Sequence, residues 1–420
     1  MNVDLRRSVV HQTYALVLAG GRGSRLRQLT DHRAKPAVPF AGTMRIVDFA
    51  LGNCVNSGLR RIGVLTQYKA QSLIRHIERS WGFLEASLGE YVDILPAQQQ
   101  RDERWYTGTA DAVHQNIDVL RESQPRHVIV LGGDHVYKMD YGVMLGEHVA
   151  RGAAVSVACL QVPLAEARHF GVMTVDDTDR VVGFIEKPEH PEPSPGTPGH
   201  VLASMGIYVF DADFLVEQLE RDATDTASSH DFGKDLIPAL VRAERVHAHR
   251  FERSCVNMVG DRPYWRDVGT LDAYWEANLD LTHVVPELNL YDADWPMLGR
   301  QAHRPPAKFV FDDAGRRGVA VDSLVSGGCI VSGATVRRSI LFDGTRVGEG
   351  SLVEDSVVLP QVRIGRDVRL RRAIVDKRCV LPDGLRAGHD AEADRARFYL
   401  TERGIVLITP EMLGRSSGGG

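Results

Sequence analysis

Between residues 330 and 370 apolar side chains return at intervals of six, and few folds accept that period. They fall at Ile330, Val336 and Phe342, at Val347 and Val353, and at Val358, Ile364 and Leu370. An amphipathic α-helix places apolar residues three and four apart, and a half-buried strand places them every second residue. A six-residue period with small residues at the corners suits a triangular parallel β-helix, in which each coil stacks its inward residue on the coil below. Steps such as Val331-Ser332-Gly333-Ala334-Thr335-Val336 put Ser and Gly where such a chain turns. Interruptions near Gly344 and Pro360 read as corners of altered length. An ordinary antiparallel sheet is the competing arrangement. A β-helix that is itself an acyltransferase is a second, but no His occurs from residue 307 to 388, and a stacking and assembly role is simpler.

Upstream the texture changes. Apolar runs at 16–19, 62–65, 128–131, 155–160 and 207–210 alternate with helical patterns such as 71–85 and 109–121. That alternation predicts an α/β domain with a largely parallel sheet, whose ligand crevice lies beyond the carboxyl ends of the strands. Strand patterns resume after the proline-rich stretch 188–199, which therefore reads as a loop. Residues 292–306 are irregular, and the expected division is a catalytic domain over 1–290, a linker over 291–306 and a β-helix over 307–420. Two cores suit 420 residues of 43% hydrophobic content.

Fifty Lys and Arg against 55 Asp and Glu leave no general basic footprint, and no nucleic-acid-binding motif is present. Five cysteines, none paired as C-x-x-C, argue against a disulfide framework or structural zinc and fit a reducing cytoplasm. No apolar run approaches the roughly 20 residues of a membrane helix, and no signal peptide is evident.

Local anion binding is the clearest chemical signal. A strand-like run enters Gly20, Gly21 and Gly23, where the backbone can turn sharply and offer N–H groups to phosphate oxygens. Arg22, Arg25, Arg33 and Lys35 follow at once. The spacing is neither a P-loop nor a dinucleotide fingerprint, and a tight structural corner is the plain alternative. Pro36 sets Lys35 on an extended backbone, either as a point charge for phosphate or as a solvated turn lysine. Asp134 follows the apolar run 128–131 and Asp267 lies in Trp265-Arg266-Asp267-Val268-Gly269; two carboxylates suit a magnesium ion that bridges phosphates. Carboxylates at strand ends also cap turns. His135 reads as a local packing residue, and His247 and His249 as surface residues. Trp105 and Tyr106 lead through Gly108 into a helix for which Thr109 is the expected N-cap, and Gln98, Gln99 and Gln100 are candidates for reading a base edge. Glu186-Lys187-Pro188 pairs a carboxylate for sugar hydroxyls with an ammonium for a sugar phosphate, or forms a surface ion pair, and Ser204 adds a hydroxyl.

Taken together, residues 18–26, Arg33-Ala34-Lys35-Pro36-Ala37-Val38, Trp105-Tyr106 with Gly108-Thr109-Ala110-Asp111, Gly133-Asp134-His135, Glu186-Lys187-Pro188 and Trp265-Arg266-Asp267-Val268-Gly269-Thr270 resemble the bacterial glucose-1-phosphate adenylyltransferases over nearly the whole chain. The resemblance implies a Rossmann-like domain followed by a left-handed parallel β-helix, a cytoplasmic homotetramer, ATP and glucose 1-phosphate as substrates, Mg2+ as cofactor, and phosphorylated metabolites as effectors. UTP or dTTP in place of ATP is the nearest alternative. By motif, Gly20, Gly21, Gly23 and Arg25 meet the ATP phosphates with Lys35 close by, and Gln98 and Gly108 belong to the nucleotide site. Asp134 and Asp267 hold magnesium, and these two with Arg25 and Lys35 form the catalytic set. Tyr106, Gly171, Glu186, Lys187 and Ser204 line the sugar phosphate site. One departure stands out. Activator-responsive relatives carry a lysine three residues before the lysine matching Lys35, whereas this chain has His32, which bears only part of a charge at neutral pH. A different activator preference or strength is expected.

Overall fold

The structure, a computed structural model, describes residues 3–98, 105–193, 199–243, 246–256, 258, 260, 262–299, 303–313 and 315–414. Packing divides the chain into two compact units, one of residues 1–21, 49–133 and 137–265, the other of residues 22–48, 134–136 and 266–420. This division follows packing rather than chain order: 22–48, 134–136 and 266–290 group with the repeats.

The first unit is built on a nine-stranded sheet. Its strands are β1 Thr13–Leu18, β2 Arg61–Thr66, β3 Tyr91–Pro96, β4 His127–Gly132, β5 Val155–Pro163, β6 Gly171–Val175, β7 Val181–Glu186, β8 His200–Asp211 and β9 Val246–Arg250. β3, β2, β1 and β4 are parallel neighbours in that order, the Rossmann-like portion expected from the alternating pattern. β8 then runs antiparallel to β4, β5 and β6, and β7 antiparallel to β6. The register of β8 against β5 shifts between Ser204 and Tyr208, around Gly206 at φ 68°, so one half of the strand pairs with β6 and the other with β4. Alternation sorts the side chains. Tyr14, Leu16, Val128, Val130, Tyr208 and Phe210 share one core with Leu215, Phe232 and Leu240 from the covering helices. Leu18 pairs with both Leu65 and Gly132, and β2 and β3 end together at Thr66 and Pro96. The glycine loop, the Gly133 loop and the segment bearing Gln98 therefore leave the sheet at one edge, that of the carboxyl ends.

In the second unit the six-residue signal becomes a parallel β-helix of three faces, consistent with the left-handed type. Successive coils register Ile330 on Arg346, then Arg363, then Val380, a rise of sixteen or seventeen residues. Coils shorter than three sixes require a five-residue step at one corner. The inward column is accordingly Val331, Val336, Leu341, Val347, Val353, Val358, Ile364, Leu370, Val375 and Leu381, all buried in one core. Ile330 is only half-buried, and Leu341 rather than Phe342 joins that column, because the first coil takes the short step twice. Asp322, Arg338, Asp355 and Arg372, one per coil, turn one corner in the left-handed region. The next residue of the first three coils is serine. Ser339 N–H donates to Ser323 Oγ, Ser356 N–H to Ser339 Oγ and Ala373 N–H to Ser356 Oγ, at 3.2, 3.0 and 3.2 Å. The hydroxyls stand in for backbone partners the corner cannot supply. The helix Leu271–Asp280 packs in the same unit. Trp275 Nε1 donates to the Asp355 carbonyl at 2.8 Å, and the Arg372 guanidinium lies 4.9 Å from the Trp275 ring centre.

Candidate active site

In the second unit three segments distant in sequence bring four charged side chains together. The segment after Gly23 is a short turn, Ser24–Thr30, anchored by buried Leu26, Leu29 and Thr30. Gly23 sits at φ 63°, and a Cβ there would meet Lys35 Cβ at 2.7 Å, so glycine is required on both counts. Lys35 opens the turn Lys35–Ala37, and the extended residue is Ala34, one place earlier than Pro36 suggested. Lys35 instead lies within the turn, which Ala37 N–H and Val38 N–H close on the Ala34 and Lys35 carbonyls, each at 3.0 Å.

The Lys35 ammonium, 5% exposed, donates to Asp134 Oδ2 at 3.0 Å and to Asp267 Oδ1 at 2.6 Å. Arg25 donates to the other Asp267 oxygen at 3.2 Å. His135 Nε2 lies 3.5 Å from Asp134 Oδ1, so its polar role is local. Burial alone would lower the Lys35 pKa and raise those of both carboxyls; the mutual attraction outweighs it, raising Lys35 and lowering Asp134 and Asp267. Asp134, His135 and Asp267 each offer a ligand atom within 4.8 Å of the others. Two hard carboxylate oxygens on a partly open site fit Mg2+, which takes one or two carboxylates and keeps its waters.

Apart from His32, the first unit holds the other sequence candidates. A Cβ on Gly20 would meet Gln67 Cβ at 3.2 Å, and Gln67 Nε2 donates to the Tyr106 carbonyl at 3.2 Å. The Tyr106 hydroxyl accepts from Asn116 Nδ2 at 2.9 Å. Trp105 is exposed, not core. Gly108 is forced by the fold: a Cβ there would lie 2.2 Å from the His230 carbonyl oxygen. The N-cap of the helix Thr109–His114 is Gly108, not Thr109, whose hydroxyl instead donates to Asp231 Oδ2 and accepts from Phe232 N–H. Gln98 is exposed at the sheet edge; Gln99 and Gln100 lie outside the described residues.

Glu186 ends β7 opposite Gly171 at the start of β6. Its carboxylate accepts from Lys187 Nζ at 2.6 Å and is close enough to Gly233 that a Cβ there would meet it at 2.8 Å. Lys187 adopts φ 48° and its N–H is held by the Phe170 carbonyl, which sends the half-exposed ammonium outward. Ser204 on β8 is buried and its Oγ accepts from Gly206 N–H at 3.3 Å. Sequence reasoning missed the segment 229–234, whose Asp231 caps the following turn through Gly233 N–H and Lys234 N–H. The cluster Ser228-Ser229-His230-Asp231 before Phe232-Gly233 was its available signal.

One other expectation changes. His249 is buried, between Ser254 Oγ at 2.7 Å, five residues on, and Glu147 at 2.8 Å, 102 residues earlier, which the local pattern could not show. The basic residues from 363 to 378 divide among the β-helix faces: Arg363 stacks on Arg346, Arg369 on the face of Leu352 and Arg386, and Lys377 beside Asp376. Asp376 takes both oxygens to Arg33 Nη2 at 2.6 Å, and Arg33 is 1% exposed. His32 Nε2 meets Glu411 Oε1 at 3.2 Å on the surface.

Known proteins resemble this chain from end to end. The nucleotidyl transferase family model matches residues 14–284, and a GlmU-like C-terminal hexapeptide model matches 305–408. A protein of Nitrosospira multiformis named glucose-1-phosphate adenylyltransferase is 61% identical over 414 residues, 98% of this chain and 97% of the relative. Proteins of the same name from Nitrosomonas europaea and Dechloromonas aromatica are 61% and 60% identical, over 97% and 98% of this chain and 95% and 94% of theirs. With a nucleotidyl transferase domain joined to hexapeptide coils and such identity from end to end, the chain belongs to the glucose-1-phosphate adenylyltransferase family of nucleotidyl transferases.

Proposed function

We propose that this chain transfers the adenylyl group of ATP to α-D-glucose 1-phosphate, giving ADP-glucose for glycogen synthesis and releasing pyrophosphate. The observation that carries the reading is the buried ammonium of Lys35 held between Asp134 and Asp267, with Arg25 beside them. Such a cluster fixes charge where a triphosphate changes hands. A phosphate oxygen of glucose 1-phosphate attacks the α-phosphorus of ATP in line, the bond to the bridging oxygen breaks, and pyrophosphate departs. Arg25 and the N–H groups at Gly20, Gly21 and Gly23 hold the phosphates, and Lys35 turns its charge to them. Asp134 and Asp267 hold Mg2+, which when bound supplies positive potential to the developing negative charge. Gln98 and Gly108 serve the nucleotide. Tyr106, Gly171, Glu186, Lys187 and Ser204 serve the sugar phosphate, with Lys187 anchoring its phosphate.

In this reading residues 1–290 carry catalysis, 291–306 connect, and 307–420 serve assembly and regulation in a cytoplasmic homotetramer that answers to phosphorylated metabolites, His32 tuning the response. Pyrophosphate release from ATP, UTP, CTP, dTTP and GTP with glucose 1-phosphate tests the reading. Preference for ATP is expected. Preference for UTP or dTTP would reassign the nucleotide, and no release with any would remove the function.

A further inference from the structure

At the amino-terminal end of β4, five strand positions and about 16 Å from Gly132, two histidines and an aspartate converge in the first unit. His127 opens β4 and pairs in register with Asp211, the last residue of β8. His148 lies in the last turn of the helix Tyr141–Arg151. The rings meet edge to face with centroids 5.5 Å apart. His127 Nδ1 lies 2.9 Å and His148 Nε2 3.5 Å from the same oxygen, Asp211 Oδ1. Both histidine side chains are nearly sealed, at 4% and 1% exposure, whereas that of Asp211 is 52% exposed.

These two nitrogens are buried and make no hydrogen bond. Native proteins rarely leave buried polar atoms in that state without a reason. Both nitrogens lie within ion-pair range of Asp211 Oδ1, at 2.9 and 3.5 Å, but neither ring N–H reaches that oxygen with hydrogen-bond geometry. Metal ligation accounts for them: the three donor atoms lie within 4.8 Å of one another, the span a single ion requires. His148 Nδ1 faces Ser156 Oγ at 2.9 Å, an outer-shell contact that, with Nδ1–H donating to the hydroxyl, leaves Nε2 free to ligate. The helix carboxyl end at His148 favours a cation. Arg126, adjacent to His127, opposes it.

We propose that His127 Nδ1, His148 Nε2 and an Asp211 carboxylate oxygen bind one divalent ion of the Zn2+ class, with water completing the shell on the exposed side of Asp211. Two imidazoles and one carboxylate select a borderline transition metal, in contrast to the all-oxygen preference of Mg2+. The ion clamps the β4–β8 edge to the helix Tyr141–Arg151 and has a structural role.

The test is titration of the full chain with Co2+ in excess Mg2+, which saturates oxygen-donor sites. One equivalent should bind with visible ligand-field absorption that Zn2+ abolishes. Asp211→Asn is a mild change, since this side chain makes no capping hydrogen bond to the helix that follows. Losing a ligand outweighs the 10–100-fold cost of losing an outer-shell partner, so Asp211→Asn and His127→Phe should each weaken Co2+ by about 100-fold or more, and Ser156→Ala by about tenfold. Zn2+ should raise the melting temperature of the wild type and not of Asp211→Asn. Absence of the absorption in the wild type overturns the proposal, as does unchanged affinity in Asp211→Asn. If His127→Phe fails to fold, those two results decide alone.

Discussion

Replacing Lys35 with methionine should tighten divalent metal binding while reducing turnover. The ammonium stands 3.0 and 2.6 Å from one oxygen of each carboxylate that the proposed chemistry gives to Mg2+. An ion reaching both carboxylates must displace at least part of that pairing. At an effective dielectric of about 20, a unit charge pair at such distances is worth roughly 6 kcal/mol before desolvation. Burying the ammonium cancels much of this, and Asp134 is a third exposed, which screens its share. A net of about 2 kcal/mol remains as competition, or about thirtyfold in an equilibrium constant. Methionine keeps the length of the stem and removes the charge. Mn2+ affinity, followed by electron paramagnetic resonance as a proxy for Mg2+, should therefore rise by about thirtyfold in Lys35→Met. Turnover should fall because the phosphates lose a cation. Both carboxyls, which burial alone would raise and Lys35 holds down, should move up, so that metal binding is lost earlier on acidification. Unchanged or weaker Mn2+ binding in a folded Lys35→Met would refute the idea that ammonium and metal compete.

Lys187→Ala should raise the KM for glucose 1-phosphate by about tenfold with little change in kcat, because the half-exposed ammonium contributes binding rather than transition-state stabilisation; a fall in kcat alone would count against that role. Asp376→Asn should cost about 3–5 kcal/mol in denaturant unfolding by stranding buried Arg33, and Arg33→Met with Asp376→Leu should recover much of it. Additive single effects would contradict that coupling. Burial, with Arg33 next, pushes the Lys377 ammonium down to about 8. The folded state then holds fewer protons than the unfolded chain from about pH 8 to 10, so melting temperature should climb across that window relative to Lys377→Met.

The sequence made the β-helix legible because one inward residue per step leaves a period no other element shares. It did not separate Ile330 from Val331 or Phe342 from Leu341, since both members of each pair are apolar and only the five-residue corner decides between them. The parallel strands β1, β2 and β4 were readable from alternation with helices; β3, Tyr91–Pro96, with Asp93 and Pro96 breaking its apolar run, was not. The antiparallel flank was not: the run at 155–160 looks the same whichever way its neighbour runs, and pairing with β8 is a property of topology. At the site, Arg25 and Asp134 were identifiable by residue type and place after a strand, Lys35 by Pro36 and the cations around it, and Asp267 by its local segment, but their common ion cluster was not, with Lys35 and Asp267 232 positions apart. Asp231 and the buried setting of His249 escaped for the same reason of distance.

The serine hydroxyls at the β-helix corner tie each coil to the next, since each accepts the N–H of the residue one coil further on. The prism is thus quantised in length. Excising a full coil of seventeen residues leaves every remaining hydroxyl above an amide and every inward side chain above another, whereas a single residue can be lost only at a corner, as in the sixteen-residue first coil; lost from within a face it carries the side chains after it off the inward column. Variation among chains of this design should therefore appear as whole coils gained or lost, or as excursions such as the hairpin of Asp312–Asp313 with Arg316–Arg317 that leave and rejoin the stack at one corner.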